Sequence, residues 1–299
     1  MSGAMGIPRI LIFADESADW RIAGLRQIDR LLLSLNEYAK THSPLHVAVA
    51  RQKDIPHKTP LVSARLDTIR VDEVSAEEAA KEMAFDIALS TRLLVYRGSI
   101  RKILGAPQFR FTPQDDFETY RRRLAGQADA LPCDYIAIRE QIPSLERKFL
   151  RSSGKPQDGF VSRYVNRPTS RAVTRQLLKF PITPNAWTLL ILALPILGGC
   201  LCSRGDYFGI LFGTALLQLY SALDGCDGEI ARAKFLESRH GREFDTLCDT
   251  AGTLLLMAGL GLGLGRSIEI YRLEAVVVAS LIVLNDWALF SMNRRDGSA

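Results

Sequence analysis

Hydrophobic and polar positions follow two different rhythms along the chain. Up to about residue 150, short apolar runs stand between polar, Gly or Pro residues: IPRILIF (7–13), LHVAVA (45–50), DTIRV (67–71) and RLLVYRG (92–98). Each predicts a β-strand. Between them, the leucines of 28–38 recur at helical spacing, and 76–88 is rich in Ala and Glu, which predicts helices. Strands alternating with helices predict a soluble α/β domain over residues 1–150.

Beyond residue 185 the rhythm becomes continuous. Apolar stretches cover 186–202, 207–223, 250–265 and 273–292. All lie near or above the roughly 17 residues a helix needs to cross hydrocarbon, and Asp245–Asp249 can lengthen the third at its start. Trp187, Tyr207 and Tyr271 mark span ends, where an aromatic belt belongs. The intervening 203–206 is long enough only for a hairpin. The pattern predicts an all-α membrane bundle with four spans over 186–299.

The charges agree with this division. Residues 1–185 hold 29 Lys/Arg and 21 Asp/Glu, against 9 and 12 in 186–299, so an overall composition of 47% hydrophobic and 24% charged averages two unlike halves. Disorder and a single soluble domain are both excluded. The net charge of +5 concentrates in 151–185, where seven basic residues face Asp158 alone. After a linker at 151–165, Arg163, Arg167, Arg171 and Arg175 recur every four positions and line one face of a helix over 163–179. A basic helix ahead of an apolar stretch predicts a place in the lipid headgroup layer. Without interleaved aromatics or glycines it does not point to nucleic acid. Pro181 and Pro184 end the helix.

Five cysteines, an odd number without paired zinc spacing, suggest neither a disulfide framework nor a zinc site. Cys226 and Cys248 read as small packing residues, and His42, His46, His57 and His240 as surface-loop residues. The N-terminus lacks a basic region followed by a long apolar core, so the first domain is expected to stay in the cytoplasm. The basic segments before the first span and between the second and third (Arg232, Lys234, Arg239, Arg242), with Arg294 and Arg295 after the fourth, fall on one side if both termini are cytoplasmic.

Chemistry concentrates in LDGCDGEIARAKFLESRHGREFDTLCDT, residues 223–250. Asp224 and Asp227 are three apart, Asp245 and Asp249 four apart, so each pair shares a helical face. Carboxylates at membrane depth are costly, and four converging carboxylates cannot all stay ionised without a cation. Hard oxygen ligands suit magnesium, manganese or calcium, with room for two ions. Gly225 and Gly228 permit close approach to the backbone, as does Gly241, and Arg232 offers a planar fork for phosphate.

The string Asp224-x-x-Asp227-Gly228-x-x-Ala231-Arg232, eight residues, Gly241-x-x-x-Asp245-x-x-x-Asp249 resembles the CDP-alcohol phosphotransferase signature at every fixed position. The resemblance implies an integral membrane enzyme of phospholipid or polar-lipid synthesis. Such an enzyme moves a substituted phosphate from a CDP-alcohol donor to an acceptor alcohol and releases CMP. It implies magnesium or manganese, in two ions, held at the positions of Asp224, Asp227, Asp245 and Asp249, with Asp249 also the general base. Gly228, Ala231, Arg232 and Gly241 match positions lining the CDP site. Thr183-Pro184-Asn185 with Thr188 resembles the polar entry to the family's first helix, which adds Asn185 to the nucleotide site. Family members commonly pair, so a homodimer is expected. The family usually has six spans, so a chain with four reads as C-terminally short; Asn285 and Asp286 in the fourth have no assigned role.

The stretch IPRILIFADESADWRIAGLRQIDRLLLSL (7–35) resembles the opening of nucleotidyltransferase domains fused to some members of this family, and this fusion resembles the inositol-phosphate-using branch. Those domains cradle phosphate on a glycine-rich loop. Here the loop is ADESADW (14–20), with no glycine and three acidic residues, which predicts a nucleotidyltransferase-like fold without the activity. The readings to be separated are thus a CDP-alcohol phosphotransferase, an inactive membrane-anchored binding or regulatory protein, and a membrane-tethered nucleotidyltransferase.

Overall fold

The structure, a computed structural model, describes residues 8–52, 63–75, 85–96, 98–112, 116–152, 160, 162–266 and 273–284. The chain divides into two compact units, Met1–Ser153 and Gly154–Ala299.

The first unit is built on a parallel sheet of four strands: β1 (Arg9–Ala14), β2 (Leu45–Arg51), β3 (Ile69–Ser75) and β4 (Ile87–Ser90), ordered β3-β2-β1-β4. Helix α1 (Gln27–Thr41) makes the crossover between β1 and β2. Its Ile28, Leu31, Leu32, Leu35 and Ala39 repeat at helical spacing and join Ile10, Ile12, Val47 and Val49 in one core. Helices α2 (Ile100–Gly105), α3 (Phe117–Gly126) and α4 (Ile142–Ser152) follow the sheet. The first three expected strands are present, but the fourth sheet strand is not the expected one. Ile87–Ser90 pairs with β1, whereas only Leu93–Leu94 of 92–98 is extended, pairing with Asp134–Tyr135 in a separate ladder. A parallel strand buried on both faces has no period-two alternation, so it resembles buried helix in sequence. Phe85 and Asp86 are not helical either, and 76–84 of the helix expected at 76–88 lie outside the described residues. His46 is also not a loop residue: it lies in β2 with Nε2 2.5 Å from Asp72 Oδ2.

Strand order reverses between β1 and β4, where open α/β sheets place a ligand crevice beyond the carboxyl ends of their strands. Here the chain fills that position itself. Asp15 accepts from the Ser17 amide (2.9 Å) and caps a short 3-10 turn, Glu16–Asp19. Arg92, just after β4, donates to Asp15 Oδ2 (2.5 Å), to Glu16 Oε1 (3.0 Å) and to the Ala137 carbonyl (2.6 Å). The hydroxyls of Ser17 and Thr91 lie 2.7 Å apart across the same gap. Acidic side chains and a buried arginine thus occupy the turn that would need bare backbone to hold phosphate.

The second unit is helical. It comprises α5 (Arg167–Leu177), α6 (Pro184–Ile191), α7 (Ala193–Cys202), α8 (Tyr207–Lys234) and α9 (Arg239–Leu264), then a twelve-residue apolar helix α10, Leu273–Leu284. Among the described residues three stretches are long and apolar enough to cross a membrane: Pro184–Cys202, Tyr207–Lys234 and Arg239–Leu264. The first is interrupted at Leu192 because Pro195 has no N–H to donate to the Ile191 carbonyl. The described part of the fourth expected span is shorter than a crossing; 285–292, with Asn285 and Asp286, lies outside the described residues, as do His57, Tyr271, Arg272, Arg294, Arg295 and linker residues 153–159. Leu189, Leu190, Leu197, Phe208, Phe212 and Leu262 are exposed, as lipid-facing residues should be. Small residues hold the helices close: a Cβ on Gly199 would sit 2.7 Å from the Leu255 carbonyl oxygen.

Two expectations for this unit change. Trp187 is not part of an interfacial belt; it is buried and its indole N–H donates to the Leu223 carbonyl at 3.1 Å. The arginine face of α5 does not lie free for headgroups. Ser170 and Thr174, on the same face as Arg167 and Arg171, are buried, and α5 packs along α8. Asn166 Nδ2 donates to Ser221 Oγ (3.1 Å), and Cys226 Sγ contacts the Ser170 carbonyl (3.4 Å).

Arg92→Ala would leave the Asp15 carboxylate buried beside Glu16 without its cation. A loss of about 3 kcal/mol is expected, read as faster hydrogen exchange of the β1 and β4 amides in the full chain. Unchanged exchange would show that this network does not hold the crevice shut.

Candidate functional site

The site is made where α8 ends and α9 begins. Helix α8 runs without a break through the aspartate motif to Lys234 and stops at Phe235, whose left-handed backbone (φ 55°, ψ 42°) returns its N–H to the Ala231 carbonyl. Ser238 then starts α9 by accepting the Gly241 amide at 2.9 Å. Only Phe235–Ser238 separates the two helices, a tight turn where the sequence suggested a basic connecting segment. This sets the second turn of α9 beside the motif turns of α8.

Asp224, Asp227 and Asp245 converge there, each offering a carboxylate oxygen within 4.8 Å of the others. Asp227 is 7% exposed and accepts a 2.7 Å hydrogen bond from Thr188 Oγ1, with a second from the Gly228 amide. Asp245 Oδ1 is buried and accepts no hydrogen bond. A buried carboxylate oxygen left without a donor, beside two more carboxylates, suits a hard divalent cation such as magnesium or manganese. Asp249 lies one turn further along α9 and is not among the three converging groups. Its Oδ1 accepts a 2.5 Å hydrogen bond from the hydroxyl of Tyr220, a residue that is buried one turn before Asp224.

Asn185, Asp224, Asp227, Gly228, Ala231, Arg232, Gly241 and Asp245 wall a single cavity, so eight of the nine residues singled out from the sequence are brought together. Asp249 is not in that wall. The glycines act through what they leave out. A Cβ on Gly228 would stand 3.0 Å from the Arg232 guanidinium, so its absence lets Arg232 fold back along its own helix. A Cβ on Gly241 would stand 3.5 Å from Asn185 Oδ1, which brings the start of the first span against the start of α9. His240 is 95% exposed and remains outside the site.

Sequence reasoning missed Arg167, Ser238 and Arg242 in the wall, and Tyr220 behind Asp249. Tyr220 was within reach, because i−4 from Asp224 is a helical neighbour. Arg167 was not, because its place depends on how α5 packs on α8.

Residues 181–294 match the family described as “CDP-alcohol phosphatidyltransferase”. The chain is similar to three proteins called “Bifunctional IPC transferase and DIPP synthase”. That of Rubrobacter xylanophilus is 37% identical over 170 residues, 54% of this chain and 38% of the relative. That of Archaeoglobus fulgidus is 35% identical over 241 residues, 78% of this chain and 48% of the relative. The Aquifex aeolicus protein is 36% identical over 111 residues, 37% of this chain and 24% of the relative. The chain therefore spans less than half the length of these relatives.

Manganese titration followed by electron paramagnetic resonance tests the three-carboxylate grouping. Asp224→Asn, Asp227→Asn and Asp245→Asn are each expected to weaken binding at least about tenfold, with a smaller effect from Asp249→Asn. Equal effects at all four positions would place Asp249 among the ligands.

Proposed function

Residues 181–294 are a domain of the CDP-alcohol phosphatidyltransferase family, and on that premise we propose that the chain is a divalent-metal-dependent membrane transferase. It moves a substituted phosphate from a CDP-alcohol to an acceptor alcohol, releases CMP, and serves polar-lipid synthesis. The observation that carries this reading is the convergence of Asp224, Asp227 and Asp245 in the wall of a cavity shared with Arg232 and Asn185.

Asp224, Asp227 and Asp245 would hold magnesium or manganese, two ions in all if Asp249 also contributes. When bound, the metal neutralises the donor's diphosphate and makes its β-phosphorus more electrophilic. The chain's own residues do the rest. Arg232, folded against Gly228, presents a guanidinium fork to the diphosphate oxygens. The small residues Gly228, Ala231 and Gly241 leave space along the wall for the nucleotide, and Asn185 adds a polar contact from the first span. Thr188 fixes the Asp227 carboxylate so that it stays turned to the cluster. Asp249 accepts the proton of the acceptor hydroxyl as its oxygen bonds to the β-phosphorus and the bond to the CMP oxygen breaks. Tyr220 holds Asp249 in one orientation while it does so.

The basic residues around the site support a cytoplasmic mouth. The α/β unit that precedes the helical unit in the chain supports an acceptor of inositol-phosphate type. The self-filled crevice of that unit favours a transferase over a working tethered nucleotidyltransferase.

Purified full-length chain with magnesium and CDP-diacylglycerol or CDP-inositol, offered inositol phosphate, glycerol phosphate or serine, is expected to release CMP. Asp249→Asn should lower turnover by about 10²–10⁴-fold, whereas Asn185→Ala should raise the donor KM with kcat little changed. No CMP release from any combination would sink the transferase reading; near-normal turnover by Asp249→Asn would remove only the base assignment.

A further inference from the structure

Helix α5 reaches into the cavity. Arg167, at its first position, is part of the wall together with Asp224, Gly225 and Asp227, and its side chain is 12% exposed. Its Nη1 lies 3.7 Å from Glu229 Oε1, a carboxylate 2% exposed on α8. Ser170, one turn along α5, donates to the same Oε1 at 2.8 Å. Room for this arrangement comes from Gly225: a Cβ there would stand 3.1 Å from Arg167 Nη1 and 3.6 Å from Ser170 Cβ. Gly225 and Glu229 occupy positions that the aspartate signature leaves unspecified.

We propose that Arg167 is a phosphate-binding residue of the cavity, and that Glu229 and Ser170 position it there. The inference rests on the reading of the cavity as a site for a phosphate-bearing substrate. Tethering α5 does not require it, since Asn166 and Cys226 already make polar contacts between the two helices. A tether would also be served by a guanidinium turned fully toward Glu229, whereas Arg167 fronts the cavity beside the carboxylate cluster. A planar guanidinium with five donors faces a carboxylate along one edge and phosphate oxygens along another. With Arg232 on the same wall, Arg167 gives the substrate's phosphates cationic contacts from two helices, one of which lies outside the matched 181–294 segment. The phosphate is either the donor's diphosphate or the acceptor's own phosphate.

Titration calorimetry on the full chain in detergent with magnesium, using CDP and cytidine as probes, tests this. Wild type is expected to bind CDP more tightly than cytidine. Arg167→Ala should weaken CDP by about 10–100-fold, as for loss of a charge-assisted hydrogen bond, leave cytidine unchanged, and retain manganese binding as proof of folding. Arg167→Lys should restore part of the loss. Glu229→Gln should weaken CDP less than Arg167→Ala and add nothing to it in the double variant, the signature of a residue acting through another. Unchanged CDP binding with a raised KM for inositol phosphate but not for serine would assign Arg167 to the acceptor's phosphate. Unchanged CDP binding and unchanged acceptor KM in Arg167→Ala would overturn the proposal while leaving the transferase reading intact. Failure of the wild type to bind CDP would overturn that reading and this proposal together.

Discussion

Like charges brought together at the edge of a low-dielectric layer repel strongly, and the second unit is organised around three such charges. Asp224, Asp227 and Asp245 approach within 4.8 Å on helices of which large parts are apolar enough to lie in lipid. Repulsion of this kind is relieved by a cation, by hydrogen-bond donors or by a proton held on one carboxyl. The structure supplies donors unevenly: Thr188 and the Gly228 amide serve Asp227, while a buried oxygen of Asp245 receives none. That imbalance leaves a place that a divalent cation could fill.

Holding the carboxylates in place requires that the helices meet at one level. The left-handed cap at Phe235 and the Ser238 cap make the α8–α9 turn short enough for Asp245 to face Asp224 and Asp227. The indole of Trp187 ties the first span to the Leu223 carbonyl, immediately before the first aspartate. Gly199 lets α7 lie against the Leu255 backbone of α9, and Gly228 leaves room for Arg232 along its own helix. Each device is local, and each removes or adds one contact that the site's geometry needs.

The two units solve opposite problems with charged residues. In the first, Arg92 closes on Asp15 and Glu16, and the ligand crevice of an open parallel sheet is satisfied internally. In the second, Arg232 and Arg167 front a cavity beside carboxylates, and the polar groups are arranged around a space. A closed ion network is satisfied within the fold; an open acidic one has room for a ligand.

The sequence by itself determined the division into a layered α/β unit and an apolar helical unit, because hydrophobic period is a local property. It also determined the motif residues, since spacings of three and four along a continuous helix put side chains on one face whatever the tertiary context. Such spacing pairs Asp224 with Asp227 and Asp245 with Asp249, whereas Asn185, Gly228, Ala231 and Gly241 were legible only through the resemblance to the family signature. Tertiary structure alone decided which face of α5 is buried, that Ile87–Ser90 enters the sheet, and that Trp187 turns inward. It decided as well that Asp249 stands apart with Tyr220 while Arg167 joins the wall. Those outcomes depend on pairing between residues distant in sequence, Arg167 with Glu229 or Ile87 with Ile10, and no one-dimensional period encodes which distant partner a residue will meet.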